Sequence, residues 1–301
     1  MIAPRRFLPS ITSLLALEAV ERLGTATAAA AELALTHSAV SRQLKVLEDQ
    51  IGVSLFIREG KGLRLSAAGT AYARSVRDCL NDLARASLKV KASGARQSLN
   101  LAVLPSFAMY WLSPRLQGFL HDHPDILVNQ STRIKPFDFE HEDFDAAIHF
   151  GTEDWRGVNY LPLLKERVIA VCAPDFVGAV PLPPERLLGQ PLLHLESRPG
   201  AWEEWFRAHG LAADRLRGML FDQFTNMAEA AAVGTGVALL PEFLARREFQ
   251  RGRLVPASAG YVDVDGTYYL VWPKQTPVSA ALAAFLSWVA DCASTAPQPA
   301  P

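Results

Sequence analysis

Residues 25–51 contain two short helical patterns joined by a tight turn, and they leave few folds open to this part of the chain. The first pattern, about 27–34, is rich in alanine, which favours helix and lets a second helix approach closely. Thr36 can cap the second helix, predicted over about 37–50, and Gly52 can end it. The apolar residues of the second helix recur on one face, which predicts burial of that face: Val40, Leu44, Leu47 and Ile51.

Another face of the second helix carries hydroxyl and cationic side chains. Ser38, Arg42 and Lys45 follow one another at spacings of four and three residues, and Ser41 lies beside them. Arginine can bond a guanine edge through two hydrogen bonds, serine can bond bases or phosphates, and lysine neutralises phosphate. This face is suited to reading the major groove, although on this helix alone an ordinary solvated face is an equal alternative.

The next segment favours the nucleic-acid interpretation. Residues 55–65 predict two short strands around a Gly60-Lys61-Gly62 turn. Basic side chains follow the hairpin at Arg58, Lys61 and Arg64. Helix, turn, helix and basic hairpin together predict a winged helix-turn-helix that binds double-stranded DNA.

The charge distribution agrees with this interpretation. Residues 1–96 carry 14 Lys and Arg against 8 Asp and Glu, a net charge of +6, whereas residues 97–301 carry 16 against 23, a net charge of −7. A basic first third joined to an acidic remainder predicts a polyanion-binding module attached to a domain with another task. At 301 residues the chain exceeds the usual size of one hydrophobic core, so two or three domains are expected.

Residues 67–92 favour a long helix with one apolar seam. Spacings of 4, 3, 4, 3 and 4 residues separate the seam positions: Tyr72, Val76, Cys79, Leu83, Ala86 and Val90. The helix would span about 39 Å, and its stripe needs a partner. Homodimerisation is the favoured interpretation, and burial against the chain's own body is the alternative. A dimer would present two recognition helices to two half-sites of a near-palindromic operator.

From residue 97 strands alternate with helices, which predicts an α/β domain with mostly parallel sheets. The expected strands are 99–103, 126–132, 146–150, 168–173, 236–240 and 267–271. The expected helices are 105–122, 200–209, 225–234, 242–249 and 277–291. The stretch 145–151 ends in a glycine before a new segment near 161–164, which fits a chain crossing between two subdomains. Residues 293–301 are expected to be a disordered tail.

The stretch 28–48, followed by Leu55-Phe56-Ile57-Arg58, strongly resembles the LysR-type transcriptional regulators in order, spacing and wing. The segments 36–41 (Thr-His-Ser-Ala-Val-Ser) and 62–65 (Gly-Leu-Arg-Leu) are most similar to the subgroup with the glycine-cleavage activator and the β-lactamase regulator. The resemblance implies a homodimer, commonly paired into a tetramer, with RNA polymerase as a further partner. It also implies the DNA-contacting residues: Thr36, His37, Ser38, Ser41, Arg42, Lys45, Arg58, Lys61 and Arg64.

The resemblance divides the chain into a winged DNA-binding domain over 1–66, a dimerisation helix and hinge over 67–96, and an effector-binding domain over 97–292. The last would have the bilobed fold of type 2 periplasmic binding proteins. One lobe would comprise about 97–163 and 267–292, and the other about 164–266.

A fold of this kind binds a small molecule between its lobes, where strand ends meet helix N-termini. Ser106 lies where a helix N-terminus would favour an anion. The positions that match the family's effector contacts are Ser106, Phe107, Thr132, His149, Phe224, Thr225 and Tyr268. Their hydroxyls, imidazole and aromatic rings would suit an amino acid or another small carboxylate.

An enzyme is a weaker alternative. The sequence contains no G-x-S-x-G, H-E-x-x-H, Walker A or paired-cysteine motif. No carboxylate pair has a spacing that implies acid–base catalysis, and no cofactor is expected. His121, His123 and His141 are interpreted as surface residues rather than metal ligands.

An exported solute-binding protein is the second alternative, because it shares the bilobed fold. Arg5 and Arg6 precede an apolar stretch as in a twin-arginine signal, but Glu18 and Glu21 interrupt that stretch early. Such a protein also leaves the predicted winged helix-turn-helix without a role.

The cysteines and the hydropathy pattern favour a cytoplasmic protein, and the predicted DNA binding would associate it with the nucleoid. Cys79, Cys172 and Cys292 are odd in number and far apart, which suits reduced thiols better than disulfides. No run of apolar residues is long enough to span a membrane.

Overall fold

The computed structural model describes residues 4, 7–59, 62–93, 97–176, 178, 181–213 and 216–295. The chain divides into two compact units, residues 1–94 and residues 95–301. Each unit has an apolar core of its own. Among the described helices, none is both long and apolar enough to cross a lipid bilayer.

Three helices and a hairpin begin the first unit. The helices are α1 (Ile11–Leu23), α2 (Ala26–Glu32) and α3 (His37–Ile51). The strands β1 (Phe56–Glu59) and β2 (Gly62–Leu65) pair antiparallel, with Phe56 opposite Leu65 and Glu59 opposite Gly62. The predicted helix-turn-helix and its hairpin are therefore present.

Local hydrogen bonds explain where these helices begin and end. The side chains of Ser10, Thr25 and Thr36 each accept a hydrogen bond from the backbone N–H three residues further on, which satisfies a donor that the helix itself leaves free. Gly52 ends α3 with φ +74°, a left-handed conformation that glycine adopts without strain.

The fourth helix, α4 (Ala67–Ser93), packs on α1 and β2 only over its first turns. Ala73 and Val76 are buried in the common core, whereas the side chains of Leu83 and Val90 are 48% and 75% exposed. The alternative interpretation, burial against the chain's own body, therefore holds for the first part of the seam. The seam positions that stay exposed on the described unit are Cys79, Leu83, Ala86 and Val90. The predicted hinge, 93–95, begins at the last residue of α4, and its other two residues lie outside the described part of the chain.

Gly69→Ala is expected to destabilise the protein by about 1–3 kcal/mol. A Cβ at this position of α4 would lie 2.1 Å from the carbonyl oxygen of Leu55, a backbone atom that cannot turn aside. The matched control is Gly118→Ala in another helix, where a Cβ meets nothing within 4 Å. The control is expected to stabilise by up to about 1 kcal/mol through helix propensity. Urea unfolding of both variants measures the difference, and equal stabilities would contradict the expected clash.

The second unit is built on a sheet with nine described strands. The strand order is β4-β3-β5-β11-β6-β9-β7-β8, and the short β10 pairs with β6. In chain order the strands are β3 (Gln97–Val103), β4 (Ile126–Thr132), β5 (Ala146–Gly151), β6 (Val158–Cys172), β7 (Leu192–Leu195), β8 (Gly218–Phe221), β9 (Val237–Pro241), β10 (Val255–Pro256) and β11 (Val262–Pro273).

Helices cover this sheet and begin with one continuous helical run. That run comprises α5 (Pro105–Phe107), a π-helical segment (Ala108–Leu112) and α6 (Ser113–Asp122). The others are α7 (Pro184–Leu187), α8 (Ala201–Ala208), α9 (Phe224–Ala232), α10 (Glu242–Gln250) and α11 (Ala280–Thr295). Since α11 continues to Thr295, the first three residues of the predicted tail are helical, and 296–301 lie outside the described residues.

Two long strands, β6 and β11, cross between two halves of the sheet that pack on separate cores. They pair antiparallel, and the register of β11 shifts between Asp263 and Thr267 and again between Tyr268 and Tyr269. One core consists of apolar residues from β3, β5 and α11. Two further cores contain residues from β7 and β9, one together with α9 and the other together with α8. The sheet therefore has two halves with a double crossing between them.

The expectation of mostly parallel sheets was wrong. The pairs β3–β4, β3–β5, β7–β8 and β7–β9 are parallel, but every described pair that involves β6 or β11 is antiparallel. The segments near 161–164 and 168–173 form the single strand β6. The chain crosses from one half of the sheet to the other along β6 and returns along β11, so these two strands run in opposite directions. Alternation of strands and helices in the sequence does not reveal such a return.

Candidate functional site

The first candidate site is the exposed face of α3. Thr36 and His37 begin the helix, and the side chains at Ser38, Ser41, Arg42 and Lys45 are all exposed. The opposite face is buried, as the apolar stripe predicted: Val40, Leu44 and Leu47. The structure thus brings six of the predicted DNA-contacting residues to one helix, with their cations on its exposed side.

Hydrogen bonds from α3 hold it against its neighbours. Ser13 in α1 donates through its hydroxyl to Gln43 Oε1 at 2.8 Å. Glu48 Oε1 accepts from the backbone N–H groups of Leu55 and Phe56 at 2.7 and 3.0 Å. The same helix therefore fixes the start of the hairpin, so helix and hairpin are positioned as one body.

The hairpin carries two of the remaining three predicted residues. Arg58 lies on β1 opposite Leu63, and Arg64 lies on β2 with an exposed side chain opposite Ile57. Lys61 lies outside the described residues.

The second candidate site is a cavity of about 80 Å³ in the second unit, here called the effector cavity. Four of the seven residues predicted for effector binding line it, namely Ser106, His149, Phe224 and Tyr268. They come from the start of the helical run, the end of β5, the start of α9 and the crossing strand β11. The two halves of the sheet therefore both contribute to its wall.

The other three predicted residues lie elsewhere. Phe107 is fully buried and stacks between Trp111 and Tyr268, with ring centroids 4.8 and 4.7 Å away. Thr132 is exposed at the end of β4, and Thr225 lies one residue after Phe224 outside the described lining. Phe107 supports the wall by holding Tyr268 in place rather than by facing the cavity.

The charged side chains that line the effector cavity are mostly cationic. Arg133, Lys135 and Arg198 face it, against the single carboxylate of Asp222 among the described lining residues. Arg133 is partly neutralised, because it donates to Glu142 Oε2 at 2.8 Å. A cavity with this excess of positive charge favours an anion.

His149 is buried in the wall of the effector cavity. Its Nε2 lies 3.2 Å from the carbonyl oxygen of Thr152 and 3.4 Å from Asp154 Oδ1, and the proton on that nitrogen depends on the tautomer. Aromatic rings of Trp155 and Tyr269 flank the imidazole. These contacts hold the imidazole of His149 in place in the wall of the effector cavity, where it provides a polar group.

A buried group of three residues stands beside the effector cavity, and sequence reasoning missed two of them. Tyr268 donates its hydroxyl to Glu166 Oε2, and Arg198 Nε lies 3.5 Å from Glu166 Oε1. Burial raises the pKa of Glu166, while Arg198 and the Tyr268 hydroxyl oppose that rise. Burial, together with the Glu166 charge, also raises the pKa of Tyr268 well above its usual value.

Arg198 is further held by aromatic rings. Its Cζ lies 3.7 Å from the centroid of Phe150 and 5.9 Å from that of Phe224, both of which line the effector cavity. Stacking of this kind attracts a guanidinium to a ring face. Glycine at 266 permits this wall, because a Cβ there would lie 2.3 Å from Phe150 Cζ.

The three histidines that were weighed as metal ligands lie apart. His141 contacts Asp138 at 2.9 Å on the surface, His123 packs on Phe119, and His121 is exposed. Within the described ranges no group of three histidines, cysteines or acidic residues has the geometry to hold a metal ion.

The two units together define a bacterial helix-turn-helix regulator with an effector-binding domain. The sequence model for "Bacterial regulatory helix-turn-helix protein, lysR family" matches residues 11–70, and the model for "LysR substrate binding domain" matches residues 92–293. The chain therefore belongs to the LysR family of DNA-binding transcriptional regulators, and the resemblance predicted from residues 28–65 is confirmed.

Individual relatives cover nearly the whole chain. It is 34% identical over 279 residues to the transcriptional activator AmpR of Rhodobacter capsulatus, covering 93% of this chain and 96% of that one. It is also 34% identical over 285 residues to the glycine cleavage system transcriptional activator of Escherichia coli K12, covering 94% and 93%. These relatives are regulators rather than enzymes, and the regulatory helix-turn-helix disfavours an exported solute-binding protein.

A solved structure supports the fold of the second unit. The effector domain of AmpR from Pseudomonas aeruginosa superposes with a TM-score of 0.60 and 32% identity, covering 66% of this chain and 96% of that one. The bilobed effector-binding fold predicted for the C-terminal part is thus confirmed at the level of the family.

Proposed function

We propose that the exposed face of α3 and the basic hairpin bind an operator, and that the effector cavity binds a small anion that controls this binding. The observation that carries the first part is the placement of Arg42 and Lys45 on an exposed helix face opposite a fully buried stripe. Arg42 is assigned to a base edge and Lys45 to phosphate. Thr36, His37, Ser38 and Ser41 would contribute short polar contacts, and Arg58, Lys61 and Arg64 would follow the adjacent groove or backbone.

The exposed half of α4 supports a homodimer. Apolar side chains on this part of the helix are left uncovered by the chain itself, and pairing with a second copy would bury them. The two-fold symmetry of the dimer would make its operator a near-palindrome read by paired helices. We further infer that two dimers associate into a tetramer.

The domain limits follow from the same proposal. We assign residues 1–66 to DNA binding, 67–96 to the linker, and 97–292 to effector binding. Within the last, 97–163 with 267–292 would move as one lobe and 164–266 as the other, because the two halves of the sheet pack on separate cores. Ligand between the lobes would favour one arrangement only if it binds the two arrangements with different affinity.

The cations and the hydroxyl of Ser106 support an amino acid or another small carboxylate as the effector. A carboxylate between the lobes would meet Arg198 and Arg133, and Ser106 or His149 would supply the second hydrogen-bonding group. Phe224 and Phe150 would cover an apolar part.

Regulation would be exerted at promoters. The relatives named as transcriptional activators support contact with RNA polymerase. From the same role we infer a cytoplasmic location on nucleoid DNA.

Arg42→Ala is expected to weaken binding to the preferred operator by about 1–3 kcal/mol and to relax specificity at one base position. Lys45→Ala is the matched control on the same helix face, and it should weaken binding to all sequences alike and reduce the salt dependence by about one phosphate contact. The operator would be selected from random duplexes by the full-length protein and affinities measured at several salt concentrations. An equal loss on every sequence for Arg42→Ala would reassign Arg42 to phosphate, and no preference for any duplex in the parent protein would overturn the proposal.

A further inference from the structure

Arg198 stands between two cavities of the second unit. It lines the effector cavity, and it also lines a neighbouring cavity of about 360 Å³, here called the inner cavity. Glu166 lines the inner cavity, and its side chain is only 1% exposed. One guanidinium therefore has a buried carboxylate on one side and the proposed anion site on the other.

The ion pair of Arg198 with Glu166 is not a close hydrogen bond. Arg198 Nε lies 3.5 Å from Glu166 Oε1, whereas an N–H donor ordinarily approaches a carboxylate to about 2.7–2.9 Å. Both atoms are buried, and neither has a hydrogen-bond partner among the described residues. Arg198 comes from the loop between β7 and α8, and its side chain is 23% exposed. An anion in the effector cavity would therefore engage Arg198 without breaking a close hydrogen bond between these two residues.

The charge of Glu166 depends on this one cation. Its carboxylate also accepts a hydrogen bond from the Tyr268 hydroxyl, which carries no charge. Burial raises the pKa of Glu166, and the charge of Arg198 opposes that rise. An anion that engages Arg198 weakens the opposition, so the buried carboxylate becomes more costly and its acid form is favoured.

The other charged and titratable groups around Glu166 are placed differently. Those of the inner cavity come from β7, α8 and β11: His194, Glu204, Asp263 and Asp265. Those of the effector cavity are Arg133, Lys135, His149 and Asp222. On the same strand as Glu166, Arg167 pairs with Glu242 of α10. Among the described acids that line either cavity Glu166 alone is buried, whereas His149 faces the effector cavity and would also gain a proton beside an anion.

We propose that Glu166 is a positioning residue of the effector site, which holds Arg198 in the ligand-free protein and gains a proton when an anion in the effector cavity engages Arg198. One proton passes from solvent to Glu166 Oε1 for each anion bound, and Tyr268 keeps its hydrogen bond to Oε2. The inference rests on the anion proposed for the effector cavity, and it adds that acidic pH strengthens anion binding. Glu166 lies where the register of β11 shifts between Asp263 and Thr267, so its charge changes at the strands that cross between the two halves of the sheet.

Calorimetric titration of the full-length protein in two buffers of different ionisation enthalpy measures the proton uptake. The probes are benzoate, 3-phenylpropionate and lactate, which stay anionic between about pH 5.5 and 9. In this interval we expect uptake of up to about one proton per anion, and a loss of affinity with rising pH of at most about tenfold per pH unit. The affinity is highest where Glu166 is protonated in both states, and it falls as pH rises from the pKa of the free protein through the pKa of the complex.

Two outcomes of this titration separate the inference from the function on which it rests. Binding without proton uptake at any pH of the interval would overturn the inference and leave the proposed anion site standing. Failure of all three probes to bind at millimolar concentration would overturn the proposed carboxylate site and the inference with it.

Glu166→Gln removes the titrating group with little change of shape. It is expected to abolish the proton uptake. It is also expected to bind the anions more tightly than the parent protein at alkaline pH, by the factor that the parent loses between acidic and alkaline pH. Tighter binding distinguishes competition for Arg198 from a structural role, because a damaged site would bind more weakly. Retained proton uptake in the folded variant would overturn the proposal.

The matched control is Glu204→Gln, which removes an exposed carboxylate from the lining of the same inner cavity. It is expected to keep the proton uptake and the pH profile of the parent protein. His149→Gln removes the other group that an anion would protonate, so only its proton uptake is compared. Loss of that uptake in His149→Gln together with its retention in Glu166→Gln would assign the proton to His149 and overturn the proposal.

Tyr268→Phe keeps the proposal testable if Glu166→Gln does not fold. It removes the hydroxyl that favours the carboxylate form of Glu166, so the interval of proton uptake is expected to move to higher pH. An unmoved interval would overturn the proposal. Operator binding without any anion is measured on the same samples, so that failure of the DNA-binding proposal is distinguishable from failure of this one.

Discussion

Replacing Leu83 and Val90 together by aspartate is expected to convert the dimer to a monomer and to weaken operator binding by about 10²–10⁴-fold. Both side chains lie on the exposed half of α4, where they are 48% and 75% exposed in the single chain. Pairing with a second copy would bury them, and two carboxylates cannot be buried there without partners. Since each recognition helix then binds its half-site alone, the gain from linking two binding events is lost. Light scattering gives the mass, and titration of the operator gives the affinity.

The matched control places the same two charges on the opposite face of the same helix, by Asn81→Asp with Leu88→Asp. These positions are also seven residues apart and exposed. The control is expected to remain a dimer with unchanged operator affinity. A second readout is the thiol of Cys79, which lies on the seam, is exposed in the single chain, and should react faster in the monomeric variant. A Leu83 and Val90 variant that remains dimeric would contradict this interface.

The first unit was predictable because its signals are local. Thr36 and Gly52 cap α3 through bonds to backbone groups within four residues, and the stripe from Val40 to Leu47 follows from helical period alone. The apolar seam on α4 was predictable from its spacing, but the surface that covers it was not. An apolar stripe is the same in sequence whether the chain's own core or a second copy covers it, and here the core covers its first part.

The second unit was less predictable because its defining contacts join distant residues. The pairing of β6 with β11 brings together residues about a hundred positions apart, and period-two patterns do not specify pairing direction. The edge strand β8 also gave no signal, because it is only four residues long and begins with a glycine. Alternation of strands and helices is typical of parallel sheets, so the antiparallel crossing was missed.

The charged part of the effector cavity depends on the same long-range contacts. Glu166 meets Tyr268 only because β6 and β11 are paired, and Arg198 comes from a loop without periodic pattern. A glutamate two residues before the apolar run 168–173 was the one available signal, since a carboxylate at the edge of a buried strand needs a partner. The predicted residues that do line the cavity, such as Ser106 and His149, were found through the family resemblance.

Arg198→Met is expected to weaken binding of small carboxylates by about 2–5 kcal/mol, because it removes the most buried cation of the effector cavity. Lys135→Met on the exposed rim is the matched control, and it should cost no more than about 1 kcal/mol. Binding is measured by calorimetry against a panel of amino acids and other small carboxylates. A panel ligand that binds Arg198→Met as tightly as the parent protein would contradict the assignment of Arg198 to the effector.

The same substitution carries a pH signature that separates its effect on stability from its effect on binding. Removing Arg198 leaves the carboxyl of Glu166 buried with only the Tyr268 hydroxyl beside it, so the pKa of Glu166, already raised by burial, should rise further. An acid whose pKa is higher in the folded than in the unfolded state does not reduce stability at low pH, where it is protonated in both states. Stability is lost as the pH rises from the pKa of the unfolded state through the pKa of the folded state. The free energy of unfolding of Arg198→Met should therefore approach that of the parent protein at acidic pH and fall below it towards neutral pH. Adding Glu166→Gln to Arg198→Met should abolish this pH dependence without restoring carboxylate binding. Urea unfolding at several pH values measures the stability of both variants. A stability difference between Arg198→Met and the parent protein that does not change with pH would show that Glu166 and Arg198 are not coupled.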